Sequence, residues 1–170
     1  MIKYILTILA LLLCFSLYNT TCQPKYDDYN NFTKLQSKPL LPCQQLYYSI
    51  KKYAKQYNIP LEYVYGIAYQ ETRWQGPNHL NYSPNKISSC NARGALQILP
   101  NTANRIMKRK VNIDSLINNI DLNVLIAMRL LRRCKDKFGT WGKSFSYYNS
   151  GKTKINQYAL NIINKKYKWK

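Results

Sequence analysis

Negative charge is scarce in this sequence. Seven residues are aspartate or glutamate, against 26 lysines and arginines, and the formal net charge is +19. Histidine occurs once, which argues against a serine–histidine triad and against a site with several histidine ligands. The five cysteines contain no C-x-x-C pair, and no glycine-rich phosphate-binding loop is present. These absences disfavour triad, zinc and phosphate-loop chemistry and leave the few carboxylates as the candidates for catalysis.

The excess of positive charge fits a polyanionic partner. Nucleic acid, anionic lipid headgroups and the carboxylates and phosphates of a bacterial wall all qualify, and a plain solvated basic surface is an equal alternative. No basic helix, zinc knuckle or aromatic RNA-binding motif accompanies the charge. A nucleic-acid partner is therefore not predicted.

The first residues predict export. Met1 to Lys3 give a short positive start, Ile5 to Leu17 are almost wholly apolar, and small or polar residues follow to Thr21. This pattern is typical of a secretory signal peptide over residues 1–21, since the apolar run is short of the roughly 20 residues of a membrane span. An uncleaved N-terminal anchor is the alternative. The expected location is the periplasm or cell envelope, with the membrane contacted only through this segment.

Cysteine usage agrees with an oxidising compartment. Cys14 lies in the signal core, and the remaining Cys22, Cys43, Cys90 and Cys134 are even in number. Disulfides among these four are predicted, with all three pairings open. Lipid anchoring at Cys22 is a weaker alternative, because the preceding residues lack the leucine and the alanine–glycine pair usual before a lipidated cysteine.

Apolar periodicity predicts a single compact, mainly α domain over residues 43–170, preceded by a linker or N-terminal arm over 22–42. Six helices are expected. The first runs from Cys43 to about Tyr57, the second starts at Pro60, a short one covers 101–108 and a long one 119–137. Two more are expected around residues 141–148 and 155–163. Residues 75–95, rich in turn formers, form a long loop that is expected to be functional.

Glu71 is the central candidate for chemistry. It follows Val64, Ile67 and Ala68 by seven, four and three residues, so on a helix it shares their core-facing side. Burial disfavours the charged carboxylate, so such an acid keeps its proton to higher pH. The other glutamate, Glu62, is nine residues earlier and is expected to face solvent. An acid poised near neutral pH suits sugar cleavage, in which the leaving oxygen must be protonated.

Four segments follow one another in order within residues 43–165 and carry a resemblance. They are Glu71-Thr72; Gly94-Ala95-Leu96-Gln97 with Pro100-Asn101-Thr102-Ala103; Asn123-Val124 with Ala127 and Leu130-Leu131; and Tyr147-Tyr148-Asn149-Ser150-Gly151. Together they resemble the Glu-Ser, Gly-Leu-Met-Gln, Asn-Ile-x-x-Gly-x-x-Tyr-Leu and Ala-Tyr-Asn-Ala-Gly signatures of the soluble lytic transglycosylases. This goose-lysozyme-like family cleaves peptidoglycan.

The resemblance implies a fold, an activity and a set of site residues. The fold would be the mainly α, lysozyme-like member of the α+β superfamily, and no cofactor or metal would be needed. Glu71 would protonate the oxygen between N-acetylmuramic acid and N-acetylglucosamine and then act as base on the C6 hydroxyl, closing a 1,6-anhydro ring. Tyr148 would contact the glutamate through its hydroxyl. The residues implied in substrate binding or catalytic support are Thr72, Gly94, Leu96, Gln97, Tyr148 and Asn149.

Departures from the family signatures bear on the substrate more than on the chemistry. Thr72 keeps the hydroxyl of the family serine, and Leu96 nearly conserves the volume of methionine. Tyr147 replaces alanine and is expected to narrow the groove. Glycan strands of peptidoglycan are the expected partner, and the resemblance also allows a secretion or conjugation machine.

Two alternatives to the transglycosylase stay open at this point. A non-catalytic peptidoglycan-binding module would be expected to have lost the acid, whereas Glu71 is present. A hydrolytic muramidase needs a positioned water and often a second carboxylate, which none of the four segments supplies.

Overall fold

The structure, a computed structural model, describes residues 39–165 and 167–169. Within these residues the chain forms seven α-helices and no strand beyond two isolated bridges. The prediction of a mainly α fold is confirmed. The helices are α1 Pro42–Gln56, α2 Leu61–Thr72, α3 Pro100–Met107, α4 Ile113–Asn118, α5 Ile120–Phe138, α6 Trp141–Ser150 and α7 Gln157–Asn164.

Local sequence determines where these helices begin and end. Pro42 and Pro100 occupy the first turn of α1 and α3, where the N–H that proline lacks would have no partner within the helix. Asn119 and Asn156 cap α5 and α7 by accepting a backbone N–H three residues on. Gly139 ends α5 with φ 76°, the left-handed conformation that glycine adopts without strain.

α5 is the central helix of the compact unit, which extends from Leu40 to Lys170. It contacts α1, α3, α4 and α6, while α2 packs on α1 and α7, and α6 packs on α7. Val124, Ala127 and Leu131 line its core-facing side and are fully buried. Each large aliphatic side chain buried in this way stabilises the fold by about 1.5–3 kcal/mol. The helix that carries Glu71 is thus held from two sides by α1 and α7.

Residues 73–99 connect α2 to α3 without a helix. Arg93 pairs with Ile87 and Ile98 in isolated antiparallel bridges, and the amide of Gly94 donates to the carbonyl of Lys86 at 3.0 Å. The predicted long loop is present, and its backbone hydrogen bonds fold it into a defined shape.

The last described residues return to α2. An added Cβ on Gly66 would lie 2.9 Å from the ring of Tyr167, so the glycine leaves room for that ring. The ring of Trp169 lies beside Gly76 and 6.2 Å from that of Trp74, measured between centroids. Tyr167 and Trp169 therefore pack on α2 and on the start of the segment that follows it.

All six predicted helices are confirmed, with ends that shift by a few residues. α4 was not predicted, because its six residues bury a single side chain, Leu116, and show no period. The last helix begins at Gln157 rather than 155, because Asn156 caps it. Ile155 precedes the helix and is 49% exposed.

The cysteines in the described part of the chain are unpaired thiols. Cys43, Cys90 and Cys134 form no disulfide with one another, so the prediction fails for these pairs. The Cys43 thiol donates to the carbonyl of Pro77 at 3.1 Å, and burial raises the pKa of Cys134 to about 11. Cys22 lies outside the described residues.

The predicted signal peptide and nearly all of the predicted arm, residues 1–38, also lie outside the described residues. Among the helices that are described, none combines the length and apolarity needed to cross a bilayer.

Candidate active site

Glu71 lies one residue before the end of α2, on the same face as the fully buried Val64 and Ile67. Its side chain is partly buried, and this burial raises the pKa of the carboxyl above its ordinary value. A hydrogen bond from Tyr158 and the positive charge of Lys86 act in the opposite direction and favour the carboxylate. The acid is therefore under opposing influences, with burial the largest.

Two tyrosines from different helices flank Glu71. The Tyr158 hydroxyl on α7 donates to Glu71 Oε1 at 2.6 Å. The Tyr148 hydroxyl on α6 donates instead to the carbonyl of Leu96 at 2.5 Å. The hydrogen bond to Glu71 that the resemblance assigns to Tyr148 is thus made by Tyr158, while Tyr148 lies close enough to feel the charge of the acid. Burial and the nearby charge of Glu71 raise the pKa of both phenols well above their ordinary value, so both remain donors at neutral pH.

Thr72 joins the end of α2 to the loop. Its Oγ1 lies 2.9 Å from the carbonyl oxygen of Ala95 and 3.0 Å from the Tyr82 hydroxyl. A threonine hydroxyl has one proton, so it can donate to Ala95 while it accepts from Tyr82. The Thr72 hydroxyl thus bonds the last turn of α2 to the loop backbone at Ala95.

Gly94 and Asn123 attach the loop to α5. Gly94 has φ 78°, and an added Cβ would overlap the carbonyl of Leu116 and the side-chain amide of Asn123. The Asn123 amide nitrogen donates to the carbonyls of Arg93 and Leu116 at 2.9 and 2.8 Å, and its Oδ1 accepts the N–H of Leu96 at 2.8 Å. A fully buried asparagine satisfied by three backbone groups fixes the position of the loop.

Leu96 and Gln97 hold the loop in place beside the site. The side chain of Leu96 is fully buried, so it belongs to the core and does not contact a sugar. Gln97, at φ 49°, donates from Nε2 to the carbonyls of Lys86 and Gly94, both at 2.9 Å. The Gln97 amide therefore binds two carbonyls of the loop itself.

Asn149 is the predicted site residue that remains exposed. It lies near the end of α6, and its Oδ1 accepts a hydrogen bond from Asn156 Nδ2 at 3.1 Å. Tyr147, expected to narrow the groove, places its ring 5.0 Å from that of Phe138 and is held in the contact between α5 and α6.

Glu71 is the one carboxylate that the described residues bring to this site. Glu62 is exposed in the first turn of α2, and Asp114 is exposed at the start of α4. Asp121 accepts hydrogen bonds from three side chains of α1, and Asp136 pairs with an arginine of α5. In the same part of the chain, no three histidine, cysteine or acidic side chains meet in a group that could hold a metal ion.

Three residues of the site were missed by the sequence reasoning or given no role. Tyr158 shares the apolar face of the last helix with Ala159 and Ile162, and nothing in its spacing indicates a partner on α2. Lys86 lies in the loop, where no period exists. Asn123 did carry a signal, because asparagine is uncommon on the apolar face of a helix unless its amide is bound.

Comparison with known proteins assigns this chain to a family. Residues 48–169 match the family model described as "Transglycosylase SLT domain". The fold is similar to the crystal structure of the 70 kDa soluble lytic transglycosylase of Escherichia coli, with a TM-score of 0.52 and 25% identity. The complex of the 70-kDa soluble lytic transglycosylase with bulgecin A matches equally well. The similarity covers 68% of this chain but 18% of either structure. No curated protein sequence matches the chain.

Proposed function

Because the chain belongs to the transglycosylase SLT domain family, we propose that it is a peptidoglycan lytic transglycosylase with Glu71 as its acid and base. The substrate is the β-1,4 bond from N-acetylmuramic acid to N-acetylglucosamine. The product carries a 1,6-anhydro ring on the muramoyl residue. The enzyme works in the cell envelope, where peptidoglycan lies, and the signal peptide predicted over residues 1–21 supports this location.

The proposed reaction returns Glu71 to its starting state. The protonated carboxyl gives its proton to the bridging oxygen as the bond from that oxygen to muramoyl C1 breaks. The N-acetyl oxygen of the same sugar stabilises the positive charge that develops at C1. Glu71, now a carboxylate, takes the proton of the C6 hydroxyl as O6 bonds to C1. No water is consumed, and no second enzyme carboxylate is required.

The observation that carries this proposal is a solitary acid of raised pKa. Burial keeps Glu71 protonated to higher pH than an exposed glutamate, while the bond from Tyr158 moderates this effect. A group that must first donate and then accept a proton works best with a pKa near the working pH. The other carboxylates in the described ranges are exposed or bound elsewhere, which favours a one-carboxylate mechanism.

The masses of the products test this function. Purified peptidoglycan is digested with the chain, and the muropeptides are weighed by mass spectrometry. Products lighter by one water than those of hydrolysis are expected. Products with reducing ends would make the enzyme a muramidase, and binding without cleavage would make it a peptidoglycan-binding module.

Replacing Tyr158 by phenylalanine is expected to shift the pH dependence of product formation. In the unchanged protein this hydrogen bond stabilises the carboxylate form of Glu71 and lowers its pKa. Because the variant lacks the bond, the pKa of Glu71 rises. Protonated Glu71 then persists to higher pH, and the alkaline limb of the kcat/KM profile shifts to higher pH. Tyr148→Phe is the matched control, since that hydroxyl bonds to Leu96 and not to the acid. A larger upward shift with Tyr148→Phe than with Tyr158→Phe would contradict the assignment.

A further inference from the structure

A cation from the loop reaches the residue that carries the acid. Lys86 lies 15 residues after Glu71, and its Nζ donates to the backbone carbonyl of Glu71 at 2.8 Å. The carbonyls in the last turn of a helix lack partners within the helix, and the helix dipole concentrates partial negative charge there. An ammonium group at this carbonyl satisfies one of those acceptors and places a positive charge beside the site.

The backbone of Lys86 is itself fixed. Its carbonyl accepts the N–H of Gly94 at 3.0 Å and the Nε2 of Gln97 at 2.9 Å. The lysine therefore extends from the segment that Asn123 attaches to α5. The contact of Nζ with the Glu71 carbonyl joins this segment to the end of α2, so the position of the charge relative to Glu71 is defined.

We propose that Lys86 is a positioning residue of the active site: it holds the end of α2 by the Glu71 carbonyl, and its charge favours the carboxylate form of Glu71. It acts through Glu71 and not on the sugar. The proposal rests on the proposed role of Glu71, which must release its proton as the glycosidic bond breaks. A nearby ammonium makes the buried acid a better donor.

The groups that face Glu71 are few. Tyr158 comes from α7 and bonds to Oε1, Tyr148 comes from α6, and Lys86 comes from the loop. α1, which also packs on α2, meets it through Tyr47, whose ring stacks on Tyr65. Both phenols near the acid stay neutral because their pKa is raised. Lys86 is thus the one positive charge among the described residues that acts on the acid.

Because glutamate is scarce in this chain, the effect of Lys86 on the titration of Glu71 can be measured directly. The full chain contains two glutamates, Glu62 and Glu71, so labelling the glutamate carboxyl carbon with ¹³C gives two resonances for NMR titration. Glu71→Gln assigns them, and the exposed Glu62 is an internal reference in every sample. Lys86→Gln removes the charge and keeps a hydrogen-bond donor, while Lys86→Arg keeps the charge. The spectrum of each variant also reports whether it is folded.

With Lys86→Gln, the midpoint of the Glu71 titration is expected to move to higher pH while that of Glu62 stays unchanged. With Lys86→Arg, both midpoints are expected to stay near those of the unchanged protein. The alkaline limb of anhydro-product formation should follow the Glu71 midpoint in each case. No movement with Lys86→Gln would overturn the proposal, and equal movement with both variants would overturn the role of the charge.

The titration separates this inference from the proposed function. If the unchanged chain forms no anhydro products, the proposed reaction fails, yet the NMR midpoint still reports whether Lys86 acts on Glu71. If anhydro products form and the midpoint of the Glu71 titration is unchanged in Lys86→Gln, the proposed reaction is supported and the inference about Lys86 fails.

Discussion

Glu71→Gln is expected to reduce the rate of 1,6-anhydro product formation by on the order of 10³-fold or more, the contribution typical of a positioned acid–base group. The amide can neither give a proton to the bridging oxygen nor take one from the C6 hydroxyl. Its carbonyl oxygen can still accept the hydrogen bond of Tyr158, so the fold is retained. Liquid chromatography with mass spectrometry of digested peptidoglycan measures the loss.

The matched control for this loss is Glu62→Gln. It makes the same chemical change on the same helix at the only other glutamate, which is exposed in the first turn of α2. Activity should stay within about twofold of the unchanged protein, because the mutated residue is a solvated surface group. A comparable loss in both variants would mean that the effect comes from the stability of α2, and retained activity in Glu71→Gln would end the assignment of the acid.

Gly94→Ala is expected to lower the free energy of unfolding by about 4 kcal/mol, the sum of backbone strain, overlap and disturbed hydrogen bonds. The backbone has φ 78°, and the new Cβ would overlap the Leu116 carbonyl and the Asn123 amide. Either the loop moves away from α5 or the buried bonds of Asn123 break. Urea unfolding followed by tryptophan fluorescence measures the change.

Gly139→Ala isolates the contribution of backbone strain alone. Its φ is 76°, nearly that of Gly94, but an added Cβ would meet no atom within 4 Å. The expected loss is about 1 kcal/mol, since a non-glycine residue in this conformation costs that much without any overlap. Equal losses at the two glycines would contradict the close approach of the loop to α5.

The helices were predictable because each long one repeats its apolar residues at the helical period. α5 shows this best, with its buried face at Val124, Ala127 and Leu131 and its end at Gly139. α4 was not predictable, because one buried leucine in six residues establishes no period. Its position follows from packing on α5, which local sequence does not encode.

The site was predictable at the acid and less so around it. Glu71 could be found because carboxylates are rare in the chain and this one falls on a core-facing position. Its donor Tyr158 lies 87 residues away, on a helix whose contact with α2 is decided by tertiary packing. The motif spacing pointed to Tyr148, whose hydroxyl is close to the acid. Which of the two neighbouring tyrosine hydroxyls bonds to Glu71 depends on how α6 and α7 pack.

The bonds that join the loop to α2 also determine how this part of the molecule opens. Thr72 Oγ1 binds the Ala95 carbonyl, Lys86 Nζ binds the Glu71 carbonyl, and Asn123 holds the same segment on α5. The loop cannot swing out unless the last turn of α2 frays with it, so the two form one cooperative unit of local unfolding.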